Sequence, residues 1–412
     1  MTTTQVCVAG GGPAGVMLGI LLARAGIDVV VLEKHADFFR DFRGDSVHPS
    51  TIDLIDQLGL RERFEAIPHT RLRTLDVVVG DLRLHAIDFG RLRGPNREIA
   101  MMPQWDLLDL LASEGRRYPT FRLLMGAEVT DVVRRSGRVV GVVAQTADGP
   151  EQVDATFTVA ADGRRSTVRD RLRLHAEDTG IPIDVLWLRL PRPRFRIPDT
   201  LAYVAPQTMV VTLPRPDYLQ CGVLIPKGSF DEVRADGLPA FRARIARAAR
   251  PLAEVVETVT DWDDVKLLTV QVDLLRRWSV PGALCIGDAA HAMSPAFGVG
   301  INYAVQDAVA TANLLVPALR ADPGDGAALD EAARRVQRRR RPPTAVVQRI
   351  QVAAHRAIGS GRGLVHDPPT SFEQIVPEAM LSVLRPVTAR FIGYGFRPER
   401  VSDAVLGAGG ES

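Results

Sequence analysis

The sequence predicts an α/β fold, with a Rossmann-like domain interrupted by an inserted antiparallel sheet and followed by C-terminal helices. Three observations predict it. Residues 5–34 read as strand, glycine turn, helix and strand. A short apolar run, Ala283 to Ile286, enters Gly287-Asp288 and then a helix. Between them lies a block of short β-like segments separated by proline and arginine, which suits a half-exposed antiparallel sheet. A chain of 412 residues exceeds one ordinary core, so two domains and a helical appendage are expected.

The N-terminal stretch is the most informative. An apolar run, Gln5 to Ala9, breaks into Gly10, Gly11, Gly12, Pro13, Ala14, Gly15, and a helical pattern continues to Gly26. Gly10, Gly12 and Gly15 carry the G-x-G-x-x-G spacing. Lack of a Cβ permits the tight turn, the approach of backbone to a pyrophosphate and the packing of helix on strand. The helix N-terminus turns its positive end and its free N–H groups toward the phosphates. Eighteen residues past Gly15, Glu33 ends the next strand with a carboxylate suited to ribose hydroxyls, and Lys34 follows it at the same site. Glycines, flanking strand and terminal acid together indicate a dinucleotide site.

The chain then passes through a loop containing Arg43, Ser46, Val47 and His48 to a helix opened by Pro49. A ribbon is expected at residues 72–88, a helix from Pro103, and four strands between Phe121 and Val159. The last strand leads into Asp162-Gly163-Arg164-Arg165-Ser166, where glycine frees the backbone and arginines are suited to phosphate. The β-like block runs from Ile183 to Ile225, helices are expected at 230–250 and 252–259, and a strand at 265–272. Asp288, at the end of a buried strand and followed by small residues, suits a sugar-like chain beside a flat ring; the competing role is capping the next helix. From Gly300 the chain reads as mostly helical to Tyr394, interrupted at Pro342-Pro343 and again at 359–363.

Composition excludes several function classes. Net charge is formally +2, from 51 basic and 49 acidic residues without strong segregation, so nucleic acid is not an expected partner. Cys7, Cys221 and Cys285 lie apart in apolar runs, which predicts reduced buried thiols in a cytoplasmic protein, with neither disulfides nor metal-ligand spacing. Apolar runs are too short to span a membrane, and Met1 to Thr4, without a basic region or cleavage site, is not expected to act as a targeting segment.

In order and spacing, the glycine turn with its acid, the Asp162-Gly163 turn and the Gly287-Asp288 turn resemble the flavoprotein monooxygenases typified by p-hydroxybenzoate hydroxylase, over residues 4 to about 320. The resemblance implies an FAD-binding domain of that type, divided as 1–72, 96–178 and 265–320, a substrate sheet at 73–95 and 179–264, and a helical region at 321–412. It assigns Gly10, Gly12, Gly15 and Glu33 to the ADP half of FAD, and Asp162 to FAD and the nicotinamide nucleotide. Asp288 falls to the ribityl chain, and Gly300, Ile301 and Asn302 to the pyrimidine edge. Arg43 would meet the phosphates or a passing NAD(P)H, the backbone of Ser46 and Val47 the flavin, Gln104 the FAD, and the Val129 backbone the adenine region. One departure is Phe297, where the prototype has glycine; another is the absence of the thioredoxin-like domain of the phenol-hydroxylase branch.

The implied activity is NAD(P)H- and O2-dependent hydroxylation of an aromatic or polyketide-like small molecule, by way of oxygen addition at flavin C4a. Peptide dipoles running from Pro295 to Asn302 are placed to stabilise charge near flavin N1 and O2. For a phenolic substrate a base is useful, and His48 is the candidate, against a packing role beside Pro49. His291 reads as structural, and Trp187, Met209, Tyr218 and Gln220 lie on the expected substrate sheet. Arg334, Arg335 and Arg338 to Arg341 read as a solvated basic helix end, with an anion or subunit contact as the other reading. Monomer and homodimer are both compatible. Other activities on the same fold are an epoxidase, a Baeyer–Villiger-type enzyme, a double-bond reductase or a halogenase, although no Trp-x-Trp-x-Ile-Pro stretch occurs. A non-catalytic FAD-binding protein is the alternative from another class.

Overall fold

The computed structural model describes residues 2–39, 46–194, 200–205, 208–215, 217–359 and 378–407. Thr2–Ala9 is the axis of an eight-stranded sheet. It pairs in parallel with Val29–Glu33 on one side and Gly149–Ala160 on the other. Phe121–Met125 adds to the first edge in parallel, and Ala283–Cys285 adds to Gly149–Ala160. An antiparallel hairpin, Glu128–Arg135 with Arg138–Thr146, branches off Gly149–Ala160. Val6 to Ala9 and Val29 to Val31 are fully buried, and strands buried on both faces need continuous apolar runs rather than alternation. Helix Pro13–Arg24 packs on this sheet and against helix Gly300–Ala321.

A second sheet of seven strands runs in the order Lys266–Leu268, Ile183–Pro191, Tyr218–Pro226, Thr208–Pro214, Thr200–Ala205, Thr74–Val79, Leu82–Asp88. It is antiparallel except where Thr200–Ala205 lies parallel to Thr74–Val79, because those two strands come from separate segments of the chain. Leu72 leaves the expected ribbon: it ends strand Thr70–Leu72, which pairs with Ile99–Met101 in a small three-stranded sheet. Three other expectations are shortened. The helix at 230–250 is two helices, Phe230–Ala235 and Leu238–Ala248, broken at Gly237, whose φ of +87° is glycine territory. Residues 252–259 hold 3-10 turns, and the strand at 265–272 is only Lys266–Leu268.

The largest departure concerns Pro342-Pro343. Each proline removes an N–H and ordinarily breaks a helix, yet helix Gly326–Gly359 runs through both. A buried polar stripe, Arg340, Thr344, Gln348, Gln351 and His355, recurs every three or four residues along it and fastens it to the rest of the molecule. Arg340 Nε donates to Asp307 Oδ1 at 2.9 Å, and Thr344 Oγ1 to the Arg340 carbonyl at 2.9 Å. The basic cluster is therefore not one solvated end. Arg334 and Arg338 are exposed and pair with Glu331, Arg339 pairs with Glu399, and Arg340 is in the core.

Among the described residues no helix is long and apolar enough to cross a membrane. All three cysteines are free and buried, and burial pushes the Cys7 and Cys221 thiols up to about 12.

Candidate active site

One cavity of about 540 Å³ joins the two sheets. Its first end is the glycine turn. Gly10 has φ +103°, and a Cβ there would fall 2.3 Å from the Ala161 carbonyl oxygen. A Cβ on Gly15 would fall 1.9 Å from the Gly10 carbonyl, so Gly15 serves helix–strand contact and does not line the cavity. Gly12 differs: nothing lies within 4 Å of its missing Cβ, and as N-cap of helix Pro13–Arg24 it supplies no side-chain cap to the first-turn amides. Those amides and the helix dipole are thus presented to an open space lined by Gly10, Gly11 and Gly12.

Glu33 ends its strand with a buried carboxylate at this opening. Its Oε2 accepts the Gly11 N–H at 2.9 Å and its Oε1 the His35 N–H at 3.0 Å, so it also braces the glycine turn. Lys34, Gln104 and Val129 line the same region. Arg43 lies outside the described residues.

Further along, Asp162 and Asp288 face the cavity from adjacent strand ends. Asp162 is largely committed to local structure, accepting from Ser166 Oγ and, at 3.1 Å, from the Val168 N–H. Burial raises its carboxyl above the usual range, against those hydrogen bonds. Asp288 Oδ2 accepts from Arg164 Nε at 3.0 Å, an ion pair across the two turns. The Gly287 turn is held from behind: its N–H donates to Asp307 Oδ2 at 3.0 Å, and His291 Nε2 meets the same oxygen at 2.6 Å. His291 is structural, as its buried position indicates.

Pro295, Gly300 and Ile301 line the cavity opposite, with the N-terminus of helix Gly300–Ala321 behind them. Asn302 does not. Its Oδ1 accepts the His48 N–H at 3.0 Å and Thr51 Oγ1 at 2.6 Å, which ties the 46–51 segment to the helix. Phe297, which departs from the glycine of the family pattern, has φ +67°. That left-handed conformation is why glycine suits the position.

His48 is fully buried and lines the cavity. Its Nδ1 lies 2.7 Å from the Ile392 carbonyl and therefore carries the hydrogen, which leaves Nε2 without a hydrogen-bond partner among the described residues. Burial, opposed by the Ile392 and Gly298 carbonyls, pushes the imidazole down to about 4.

The far end of the cavity is the apolar face of the seven-stranded sheet, with Val185, Trp187, Met209, Leu213, Leu224 and Leu268. Gln220 also lines it, its Oε1 held by Arg215 Nη2 at 2.9 Å. Tyr218 does not; it lies under the Arg189 guanidinium, 5.1 Å from its ring centroid. Sequence reasoning missed Ser294 and His355 as cavity residues; Arg164, read there as suited to phosphate, lines the cavity and pairs with Asp288. The polar stripe along helix 326–359 was the available signal, obscured by the two prolines.

These features fit FAD. An open cradle under uncapped helix amides suits a pyrophosphate, Glu33 stands where a ribose would lie, and Asp288 adjoins a wall of small residues and backbone.

A family model described as "FAD binding domain" matches residues 3–349. The chain is 34% identical over 375 residues to 6-methylpretetramide 4-monooxygenase of Streptomyces rimosus, covering 87% of this chain and 85% of that one. It is 27% identical over 313 residues to the 3-(3-hydroxy-phenyl)propionate/3-hydroxycinnamic acid hydroxylase of Burkholderia cenocepacia (strain HI2424), with 74% of this chain and 55% of the relative aligned. Among solved structures, OxyS anhydrotetracycline hydroxylase from Streptomyces rimosus superposes with a TM-score of 0.71 at 25% identity, over 95% of this chain and 76% of that chain. PqsL of P. aeruginosa shares the fold with a TM-score of 0.75 at 24% identity, over 88% and 98% of the two chains.

Proposed function

Because the chain belongs to the FAD-binding-domain family of flavin-dependent monooxygenases, we propose that it hydroxylates a fused, polyketide-type aromatic molecule, with NAD(P)H as reductant and O2 as co-substrate. The observation that carries this reading is the single cavity. It runs without interruption from the glycine turn, past Asp288 and Pro295, to the apolar face of the second sheet. Cofactor and substrate would share one space, with no second dinucleotide fold among the described residues to hold the nicotinamide.

We assign residues 1–72, 96–178 and 265–320 to FAD binding, 73–95 and 179–264 to the substrate sheet, and 321–412 to a helical region. FAD, when bound, supplies the redox chemistry, accepting electrons from NAD(P)H and activating dioxygen. Gly10, Gly12 and the first-turn amides of helix Pro13–Arg24 would hold its pyrophosphate, and Glu33 and Lys34 the adjoining ribose. Gln104 and Val129 would border that half, and Arg43 is assigned to the phosphates on the resemblance alone. Asp288 would bind the ribityl chain, oriented by Arg164, with Asp162 fixing the neighbouring turn. Pro295, Gly300 and Ile301 would lie against the ring, where helix Gly300–Ala321 turns its positive end toward developing negative charge. Asn302 would act indirectly, by holding the His48 backbone. His48 is the proposed base: with Nδ1–H committed to Ile392, Nε2 is the ring atom that would take a proton from a substrate hydroxyl. The apolar wall from Val185 to Leu268 would exclude water from the ring to be oxidised.

Free buried thiols support a reducing, cytoplasmic setting, and we infer a monomer or homodimer. The test is the visible spectrum of the purified protein, followed by NADPH and NADH oxidation across phenols and polycyclic aromatics under labelled dioxygen. Flavin absorbance with oxidation stimulated by a polycyclic phenol, and a product carrying one labelled oxygen, is the expected result. A flavin-loaded protein that no aromatic stimulates would sink the hydroxylase reading.

A further inference from the structure

The substrate end of the cavity carries two polar groups that the cofactor does not account for. The first is His355, from helix 326–359, which lines the cavity beside Ser294 and is 3% exposed. Its Nε2 lies 2.6 Å from Ser294 Oγ. That hydroxyl already accepts the Ala296 N–H at 3.1 Å, and among the described residues the acceptor for its own hydrogen is His355 Nε2. The pairing therefore places the ring hydrogen on Nδ1, which is buried and has no partner among the described residues. The geometry is held firmly, since Gln351 Nε2, one turn back on the same helix, donates to the carbonyls of Ser294 at 3.1 Å and Ala296 at 2.8 Å.

The second group is Trp187, on the sheet wall. Its indole Nε1, which can only donate, is also buried without a partner among the described residues. Trp187 and His355 both line the cavity, and Val352, on the same helix as His355, belongs to the apolar cluster that holds Trp187. Buried donors without acceptors are costly, and a ligand that supplies the acceptor is selected over an analogue that lacks it. Burial pushes the His355 imidazole down to about 4, so at neutral pH it stays an uncharged donor.

Resting on the monooxygenase reading above, we propose that His355 Nδ1–H and Trp187 Nε1–H form an acceptor-recognising subsite that selects polycyclic aromatic substrates bearing carbonyl oxygens, with Ser294 as the positioning residue that sets the His355 tautomer. A hydrocarbon phenol of the same shape lacks the acceptors and leaves both donors unsatisfied. The subsite thus distinguishes quinone- or ketone-bearing fused rings from simple polycyclic phenols.

The test is calorimetric titration of the FAD-loaded protein with 1-hydroxyanthraquinone and with 1-hydroxyanthracene, which have the same three-ring frame with and without carbonyls. Wild type is expected to bind the quinone on the order of ten-fold more tightly. His355→Gln, whose amide reaches Ser294 but not the Nδ1 position, should lose most of that preference. His355→Asn, which restores a donor near Nδ1, should recover it. Trp187→Phe should weaken the quinone alone. Absence of a quinone preference in wild type, or a preference that survives both His355→Gln and Trp187→Phe, overturns the assignment. Flavin content of the same samples separates the two claims: a protein purified without flavin overturns the monooxygenase reading, whereas a flavin-loaded protein without the preference overturns only this subsite.

Discussion

Asp307 and Arg340, both fully buried, form an ion pair with Nε 2.9 Å from Oδ1, and the other carboxylate oxygen receives the N–H of Gly287, the residue before Asp288. Burial alone would raise the Asp307 carboxyl; His291 and Arg340 together outweigh it and hold the group below the usual carboxylate range. One carboxylate thus joins the helix that crosses two prolines to the turn that presents Asp288. Asp307→Asn removes the shorter of Arg340's two buried carboxylate partners and leaves only Glu399, 3.6 Å from Nη1; breaking a buried pair costs up to about 3–5 kcal/mol. The expected outcome is a markedly lower thermal midpoint and faster flavin release. An unchanged midpoint would show that the pair contributes nothing net.

Phe297 offers a test of stored strain. Its φ of +67° costs a residue with a Cβ about 1–2 kcal/mol relative to glycine. Both Phe297→Ala and Phe297→Gly remove the ring from its contacts with the neighbouring apolar clusters, but only glycine relieves the backbone. Phe297→Gly should therefore be about 1 kcal/mol more stable than Phe297→Ala in urea unfolding, after allowance for the greater freedom of unfolded glycine. The reverse order would mean that the loop relaxes out of the left-handed region once the ring is gone.

The two cavity histidines set an acid limit. His48 and His355 have their folded values near 4, below an ordinary 6.5. Between those values the unfolded chain binds protons that the folded one does not, so stability is fully present above 6.5 and declines as pH falls toward 4. Each shift corresponds to roughly 3 kcal/mol at most. Thermal midpoints of wild type should fall over that window, and His355→Gln should show a shallower fall. Equal slopes in the two proteins would contradict the neutral burial of His355.

What the sequence made legible followed from local rules. Gly10, Gly15, Glu33 and Asp288 were readable because strand, turn and helix succeed one another within a few residues, and the chemistry of each is fixed by where a strand ends. Asn302 was assigned to the cofactor by the family resemblance, but a helix start can turn a side chain to either side, and here it binds the His48 segment. His355 lay beyond local reasoning. Its place depends on a helix surviving Pro342-Pro343, and that survival rests on Asp307, Ala292 and Asp273, which are distant in sequence. Tyr218 and Met209 show the same limit in the sheet, where only the actual pairing register separates the face that lines the cavity from the one that does not.

The glycine turn separates folding from cofactor binding. At Gly10 a methyl group would meet the Ala161 carbonyl at 2.3 Å, in a backbone conformation that favours glycine, so Gly10→Ala should disturb the strand ends themselves and lower the yield of folded protein. At Gly12, φ is −73° and nothing lies within 4 Å of the missing Cβ, so Gly12→Ala should fold with a thermal midpoint for the flavin-free protein close to wild type. Its methyl group would instead project into the open cradle below the helix amides, where the pyrophosphate belongs. The expected result is an apoprotein of normal stability whose flavin occupancy falls at least several-fold, measured by absorbance after gel filtration and by titration of added FAD. If Gly12→Ala binds FAD as well as wild type, the pyrophosphate does not lie against this turn, and the placement of the whole cofactor must be redrawn from Asp288 outward.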